Sequence, residues 1–261
     1  MQRVLVIGRG STYTLETSLY RALFEKLGLD WHCESKELAS AEEVHKVLAG
    51  SDWLAAHVGA PYNDLFPEAA TITAASVKLS GGANMLFRKN AQVVALNTVG
   101  LACVRSLQRE GINFAGAKVV VLGAGPTALA ILAAAAQAGA ARVALIGFDR
   151  YQAKEELNAF IARYKELAYA TMDLEPAQAG DRSFRAAYEE PTYAYGSLTT
   201  STTEIATADI VIDATEAQKE PGVVLAQVVE NASVLLSAYE VENPFSTEEL
   251  FSFMSEVALP C

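Results

Sequence analysis

The 261 residues carry 31 acidic and 20 basic side chains, a formal net charge of −11, with 51% hydrophobic and 20% charged residues. That length holds one large domain or two small ones around a substantial core, in the composition range of ordinary soluble globular chains. No lysine or arginine cluster offers a face to nucleic acid, and no apolar run reaches the roughly 18 residues that a bilayer span needs, so neither partner is expected.

MQRVLVIGRG enters a strand pattern without the charged-then-apolar layout of a signal peptide, and a cytoplasmic protein is expected. RVLVIG (3–8) predicts a buried strand. TLETSLYRALFEKLG (14–28) predicts a helix with Leu15, Leu19, Leu23 and Leu27 on one face and a stop at Gly28. DWHCESKE (30–37) predicts a more exposed strand, AEEVHKVLAG (41–50) a second helix and DWLAAHVG (52–59) a third strand. Such alternation implies parallel pairing with helical crossovers. After a loop and a short helix, ANMLFRKNAQVVALN (83–97) predicts a hairpin turning at RKN, and VGLACVRSLQREG (99–111) a helix leading out of this lobe.

The alternation then restarts. KVVVLG (118–123), RVALIGFD (142–149), DIVIDAT (209–215) and SVLLSAYE (233–240) predict strands, and PTALAILAAAAQAG (126–139) and YQAKEELNAFIARYKEL (151–167) predict helices. Residues 175–203 show no clean period and read as an irregular insertion or mobile loop. The fold class is therefore α/β and two-lobed: residues 1–100, with a helix at 247–261 as a candidate to rejoin them, then a Rossmann-type lobe over 101–246. Cys33, Cys103 and Cys261 lie far apart and only three histidines are present, so no metal site is expected and the cysteines read as small core hydrophobes.

VVVLGAGPTALAI carries the strongest motif, G-x-G-x-x-A at Gly123, Gly125 and Ala128, between a strand and a helix. The first glycine permits the tight turn, the second lets a pyrophosphate approach the backbone, and the small third residue lets helix and strand pack closely. Ala124, Pro126 and Thr127 complete the turn, and the helix N-terminus offers unpaired N–H groups to phosphate. Asp149, 24 residues after Gly125, ends the next strand, where an acid accepts ribose hydroxyls and repels a 2′-phosphate. NAD rather than NADP is expected, with the adjacent Arg150 as the group that can turn toward a phosphate.

With these pieces in place, the chain resembles the shikimate/quinate dehydrogenase family along nearly its whole length, more in order and spacing than in identity. In that family a substrate lobe precedes a Rossmann lobe. The family's G-N-P-x-x-H-S-x-S-P is similar to GRGSTYTLET, which puts Thr12 and Thr14 on the serine pair that holds the substrate carboxylate; both threonines read equally well as helix caps. GGANM resembles G-A-V-N-T and places Asn84 on the substrate asparagine; NTVG resembles N-T-D-G and matches Asn97 and Thr98. DIVIDAT resembles D-L-I-I-N-A-T, with Thr215 at the cofactor, and AYEVENPFSTEEL echoes Y-x-P-x-x-T with Tyr239 toward substrate.

The departures fall on the chemistry. N-V-T-I-P-Y/F-K corresponds to HVGAPYN, so Asn63 stands where the resemblance implies a catalytic lysine, and Val99 replaces its aspartate partner. Asparagine can polarise a carbonyl but cannot exchange a proton near neutral pH, and valine can do neither. Asn63 remains as a hydrogen-bond donor to substrate, and Tyr62 and His57 as candidate proton donors, with packing the commoner role for both. Two readings follow. One is an NAD-dependent oxidoreductase acting on an altered small polar hydroxy or amino acid. The other is a non-catalytic descendant that binds dinucleotide or a small acid as a sensor or partner subunit. A homodimer is expected from the resemblance alone.

Overall fold

The computed structural model describes residues 2–8, 12–59, 62, 70–174, 191–215 and 235–237, and side chains for these except 12–15, 168–174 and 235–237. The chain divides into two compact units, the first running to Thr98 and the second starting at Val99.

The first unit runs β1 (Gln2–Gly8), α1 (Thr12–Lys26), β2 (Trp31–Glu37), α2 (Ala41–Ala49), β3 (Ala55–Val58), β4 (Ile72–Thr73), α3 (Ala75–Ser80), β5 (Met85–Lys89) and β6 (Gln92–Leu96). Its sheet has the order β2-β1-β3-β5-β6-β4. β1 pairs in parallel with β2 and β3, while β5 runs antiparallel to β3 and β6. The run VLVI is apolar on both faces because β1 is buried on both. Val4 and Val6 pack with Tyr20, Leu23, Phe24 and Ala55 on one side, and Leu5 and Ile7 with Val44, Leu48 and Ala56 on the other. Ser40 caps α2 by accepting from Glu43 N–H, and Ala39 N–H, one residue before the cap, donates to the Glu43 carboxylate. The hairpin turns at Asn90, whose φ of 57° suits asparagine.

In the second unit α4 (Val99–Arg109) precedes β7 (Lys118–Leu122), α5 (Pro126–Gln137), β8 (Arg142–Gly147), α6 (Arg150–Leu174), β9 (Thr192–Ser197), α7 (Thr202–Ala206), β10 (Ile210–Asp213) and β11 (Leu235–Ser237). The sheet order is β11-β10-β7-β8-β9, every pair parallel. Chain order reverses direction between β7 and β10, the switch point at which doubly wound folds bind dinucleotides. Thr127 to Ala136 of α5 are all buried, as expected for a helix that is apolar all round. Its alanines admit α4 so closely that a Cβ on Gly100 would lie 2.0 Å from the Ala130 carbonyl oxygen.

One expectation is corrected. Within the supposed irregular insertion, Thr192–Ser197 form β9 and Thr202–Ala206 form α7; residues 175–190 lie outside the described residues. TYAYGS carries an alanine and a glycine that weaken its strand signal, and pairing along the whole of β8 supplies what propensity does not. The two-residue β4 and the full length of α6 were likewise not legible. The candidate helix at 247–261 lies outside the described residues. No helix among the described residues is long and apolar enough to cross a membrane.

Gly100→Ala drives a methyl into the Ala130 carbonyl and is expected to destabilise the second unit by about 1–3 kcal/mol, the usual range for overpacking. Thermal unfolding measures this, and an unchanged Tm would contradict the close α4–α5 approach.

Candidate functional site

The glycine turn sits at the switch point of the second unit. Gly123 follows β7 with φ 115°, a conformation that L side chains rarely adopt, and its N–H donates to Ile146 O at 2.8 Å. A Cβ there would stand 2.7 Å from Ala214 O, just beyond β10. Gly125 has ordinary backbone, φ −88°, and nothing within 4 Å of where its Cβ would point. Its missing side chain therefore leaves an approach open rather than relieving the fold. Pro126 opens α5, and Thr127 and Ala128 are buried against the sheet. Ala124 faces Gly147, where an added Cβ would lie 3.5 Å from the Ala124 Cβ. Opposite Gly123, Thr215 donates its N–H (2.9 Å) and its hydroxyl (2.6 Å) to Asp213 Oδ1. Asp213 is a buried carboxylate that sequence reasoning passed over, although an acid closing the apolar run IVID was a signal.

Asp149 and Arg150 follow β8. The exposed Asp149 caps α6, its Oδ1 accepting from Tyr151 N at 2.6 Å and Gln152 N at 3.3 Å. Oδ2 has no hydrogen-bond partner among the described residues. The Arg150 guanidinium lies 5.3 Å from the centre of the Tyr195 ring on β9, a cation–π contact that turns it toward the neighbouring strand.

In the first unit the structure brings Asn84 and Thr98 together. Asn84 Nδ2 donates to Thr98 Oγ1 at 3.0 Å, and Thr98 N donates to Asn84 Oδ1 at 2.8 Å. Asn97 is buried and donates Nδ2 to Ser80 Oγ and Gly82 O, both at 3.0 Å, which ties the segment after β6 to the turn after α3. Thr12 and Thr14 lie in the first turn of α1, with side chains outside the described set; Asn63 and Tyr239 lie outside the described residues altogether.

Tyr62 is corrected to a core residue. It is 4% exposed, and its hydroxyl donates to Leu38 O at 2.5 Å, which takes its proton out of reach of a substrate. His57, next to last in β3, is partly exposed. Its Nδ1 lies 3.4 Å from the Tyr20 hydroxyl and its Nε2 3.8 Å from Glu16 Oε1. Neither Tyr20 nor Glu16 was singled out from sequence, where both read as ordinary positions of an amphipathic helix. Burial, reinforced by the nearby Glu16 charge and then by Cys33, raises the Tyr20 hydroxyl far above the ordinary tyrosine value, so it keeps its proton. Burial also pushes the Cys33 and Cys103 thiols up to about 11, leaving little thiolate at neutral pH. Among the described residues no group of three or more His, Cys, Asp or Glu side chains could hold a metal ion.

The sheet order and glycine turn define an α/β unit of the Rossmann class, preceded by a separate αβ unit with a polar cluster. No protein-family model matches the chain. The shikimate dehydrogenase (NADP(+)) of Geobacter metallireducens is 31% identical over 181 residues, covering 66% of this chain and 62% of that protein. Among solved structures, an Ael1 enzyme from Pseudomonas putida matches with a TM-score of 0.71 at 17% identity, over 99% of this chain and 93% of its own. Shikimate 5-dehydrogenase from Listeria monocytogenes, solved with shikimate and NAD, matches with a TM-score of 0.70 at 18% identity, over 98% and 83%. In sequence the chain is similar to shikimate dehydrogenases, and its fold is similar to theirs. It spans 62% of the length of each of the first three curated relatives, and between 46% and 58% of five others.

The two glycines separate fold from binding. Gly123→Ala is expected to cost about 1–3 kcal/mol of stability through backbone strain and the Ala214 contact, and to abolish dinucleotide binding. Gly125→Ala should leave stability within about 0.5 kcal/mol and still weaken binding. Calorimetric unfolding beside NADH titration checks both, and equal loss of stability in the two variants would contradict the assignment.

Proposed function

We propose that the chain is an NAD(H)-dependent oxidoreductase of shikimate dehydrogenase type, acting on a small polar hydroxy or amino acid other than shikimate. The observation that carries this reading is the left-handed Gly123 turn at the switch point, with Asp149 Oδ2 available beyond the next strand. When bound, NAD(H) supplies or accepts the hydride. The chain's own part is to hold it: the first N–H groups of α5 and that helix's partial positive charge receive the pyrophosphate. Asp149 accepts the ribose hydroxyls, and its charge disfavours a 2′-phosphate. In the first unit, Asn84 and Thr98 hold each other in one geometry and present amide and hydroxyl groups to a polar ligand.

The relatives do not decide the cofactor. The curated ones are named for NADP(+), a Thermus thermophilus structure was solved with NADP(H) and shikimate, and the Listeria structure was solved with NAD. The choice rests here on Asp149 and on the contact that draws Arg150 toward Tyr195. Asn63 and Val99, in place of a lysine and an aspartate, argue against shikimate itself as substrate. They also support the second reading, a non-catalytic binder of dinucleotide or small acid. A cytoplasmic location and a homodimer belong to the same proposal.

Fluorescence titration with NADH and NADPH tests it. NADH is expected to bind saturably, with NADPH weaker by about tenfold or more, since a repelled phosphate costs at least ~1.4 kcal/mol. Asp149→Asn keeps a side-chain oxygen for the α6 cap but removes the charge, so stability should hold while the NADH preference falls by roughly tenfold. Binding of neither nucleotide would sink the oxidoreductase reading.

A further inference from the structure

The strongest unassigned cluster joins α1 to the end of β3. Positions 12, 16 and 20 of α1 repeat at i, i+4 and i+8 and share one stripe of the helix. Thr12 stands at its N-terminal end, and Glu16 and Tyr20 both reach His57. The His57 ring meets the Tyr20 ring edge-on, centroids 5.9 Å apart at 83°. β3 delivers His57 to the substrate cluster: it pairs in register with Met85, and the next residue, Val58, donates its N–H to Asn84 O at 2.8 Å. The histidine is therefore a sheet neighbour of the asparagine that holds Thr98.

One tautomer of His57 suits both contacts of Tyr20. Tyr20 donates its single proton to Met85 Sδ at 3.6 Å, so its oxygen accepts from His57 Nδ1–H at 3.4 Å. Nε2 is then the basic nitrogen. At 3.8 Å from Glu16 Oε1 it is too far for a hydrogen bond but close enough for the carboxylate to balance a charge on the ring. A ring oriented by one partner and charge-balanced by another has the parts of a general acid–base pair.

We propose that His57, oriented by Tyr20 and charge-balanced by Glu16, is the proton carrier of the substrate site, the role that Asn63 and Val99 cannot fill. This assignment rests on the oxidoreductase reading. In the oxidising direction the C–H hydrogen of a secondary alcohol leaves with its electron pair to the nicotinamide of NAD⁺. The O–H bond breaks, its proton passes to His57 Nε2, and its electrons close the carbonyl. Reduction reverses each transfer.

The test uses the full chain with ¹⁵N-labelled histidine rings and NAD⁺, titrated with shikimate, quinate and the amino analogue of shikimate. A saturable shift of the His57 Nε2 resonance is expected, absent from His32 and His45 and missing in His57→Gln. With whichever acid moves that resonance, His57→Gln should lower kcat by roughly 10²–10⁴ while KM changes by less than about threefold. Added imidazole should restore turnover to His57→Ala, which a merely structural histidine would not allow, and Glu16→Gln should lower kcat with KM held. A His57 resonance unmoved by all three acids, or an unchanged kcat in His57→Gln, overturns the assignment. NADH fluorescence on the same samples separates the two readings. NADH binding beside a silent His57 removes only the proton carrier, whereas failure of the unaltered protein to bind NADH removes the oxidoreductase reading itself.

Discussion

The second unit depends on one close approach, that of Gly123 to the Ala214 carbonyl. β7 and β10 are hydrogen-bonded neighbours in the sheet. A side chain on Gly123 would stand 2.7 Å from the Ala214 oxygen, so the turn exists only because that position lacks a Cβ. From that turn α5 starts, its N-terminal N–H groups gathered beside the ends of β7 and β10. The buried Asp213–Thr215 pair fixes the opposite side, with one carboxylate oxygen taking both the amide and the hydroxyl of Thr215. The run of small residues in α5 belongs to the same device, since only alanines let α4 and the sheet close over it on two sides.

The first unit concentrates its polarity where strands end. Val58 N–H on Asn84 O, and Asn84 on Thr98, connect the end of β3 to the segment after β6. Asn97 secures that segment from below through Ser80 and Gly82. The rest of the unit is apolar on both faces of β1, so partly buried groups such as His57 and Glu16 stand out as the ionisable side chains that face the same region. A buried tyrosine that holds its proton, a histidine and a carboxylate in contact have a cost in desolvation, offset where each group has a partner.

Where the resemblance implies a lysine and an aspartate the chain carries Asn63 and Val99, an exchange that removes opposite charges together. What changes is the available proton. Tyr62, the candidate nearest in sequence to Asn63, spends its hydroxyl on Leu38 O inside the core. The proposed acid–base group instead combines His57 of β3 with Glu16 and Tyr20 of α1.

Much was legible from the chain alone. Short continuous apolar runs announced β1, β3, β7, β8 and β10, and the glycine turn announced the switch point, because strand burial and positive φ leave direct marks on residue choice. Asn84 and Thr98 could be named because a motif keeps their spacing. Tertiary structure decided what local pattern does not encode. TYAYGS becomes a strand because β8 offers it an edge, and Tyr62 becomes core because Leu38, 24 residues away, accepts its proton. Glu16, Tyr20 and His57 form one group because side chains of α1 reach β3, a contact between residues 37 apart in the case of Tyr20 and His57. Period and propensity are properties of neighbours in the chain, whereas the charge and hydrogen-bond partners of a side chain are properties of neighbours in space.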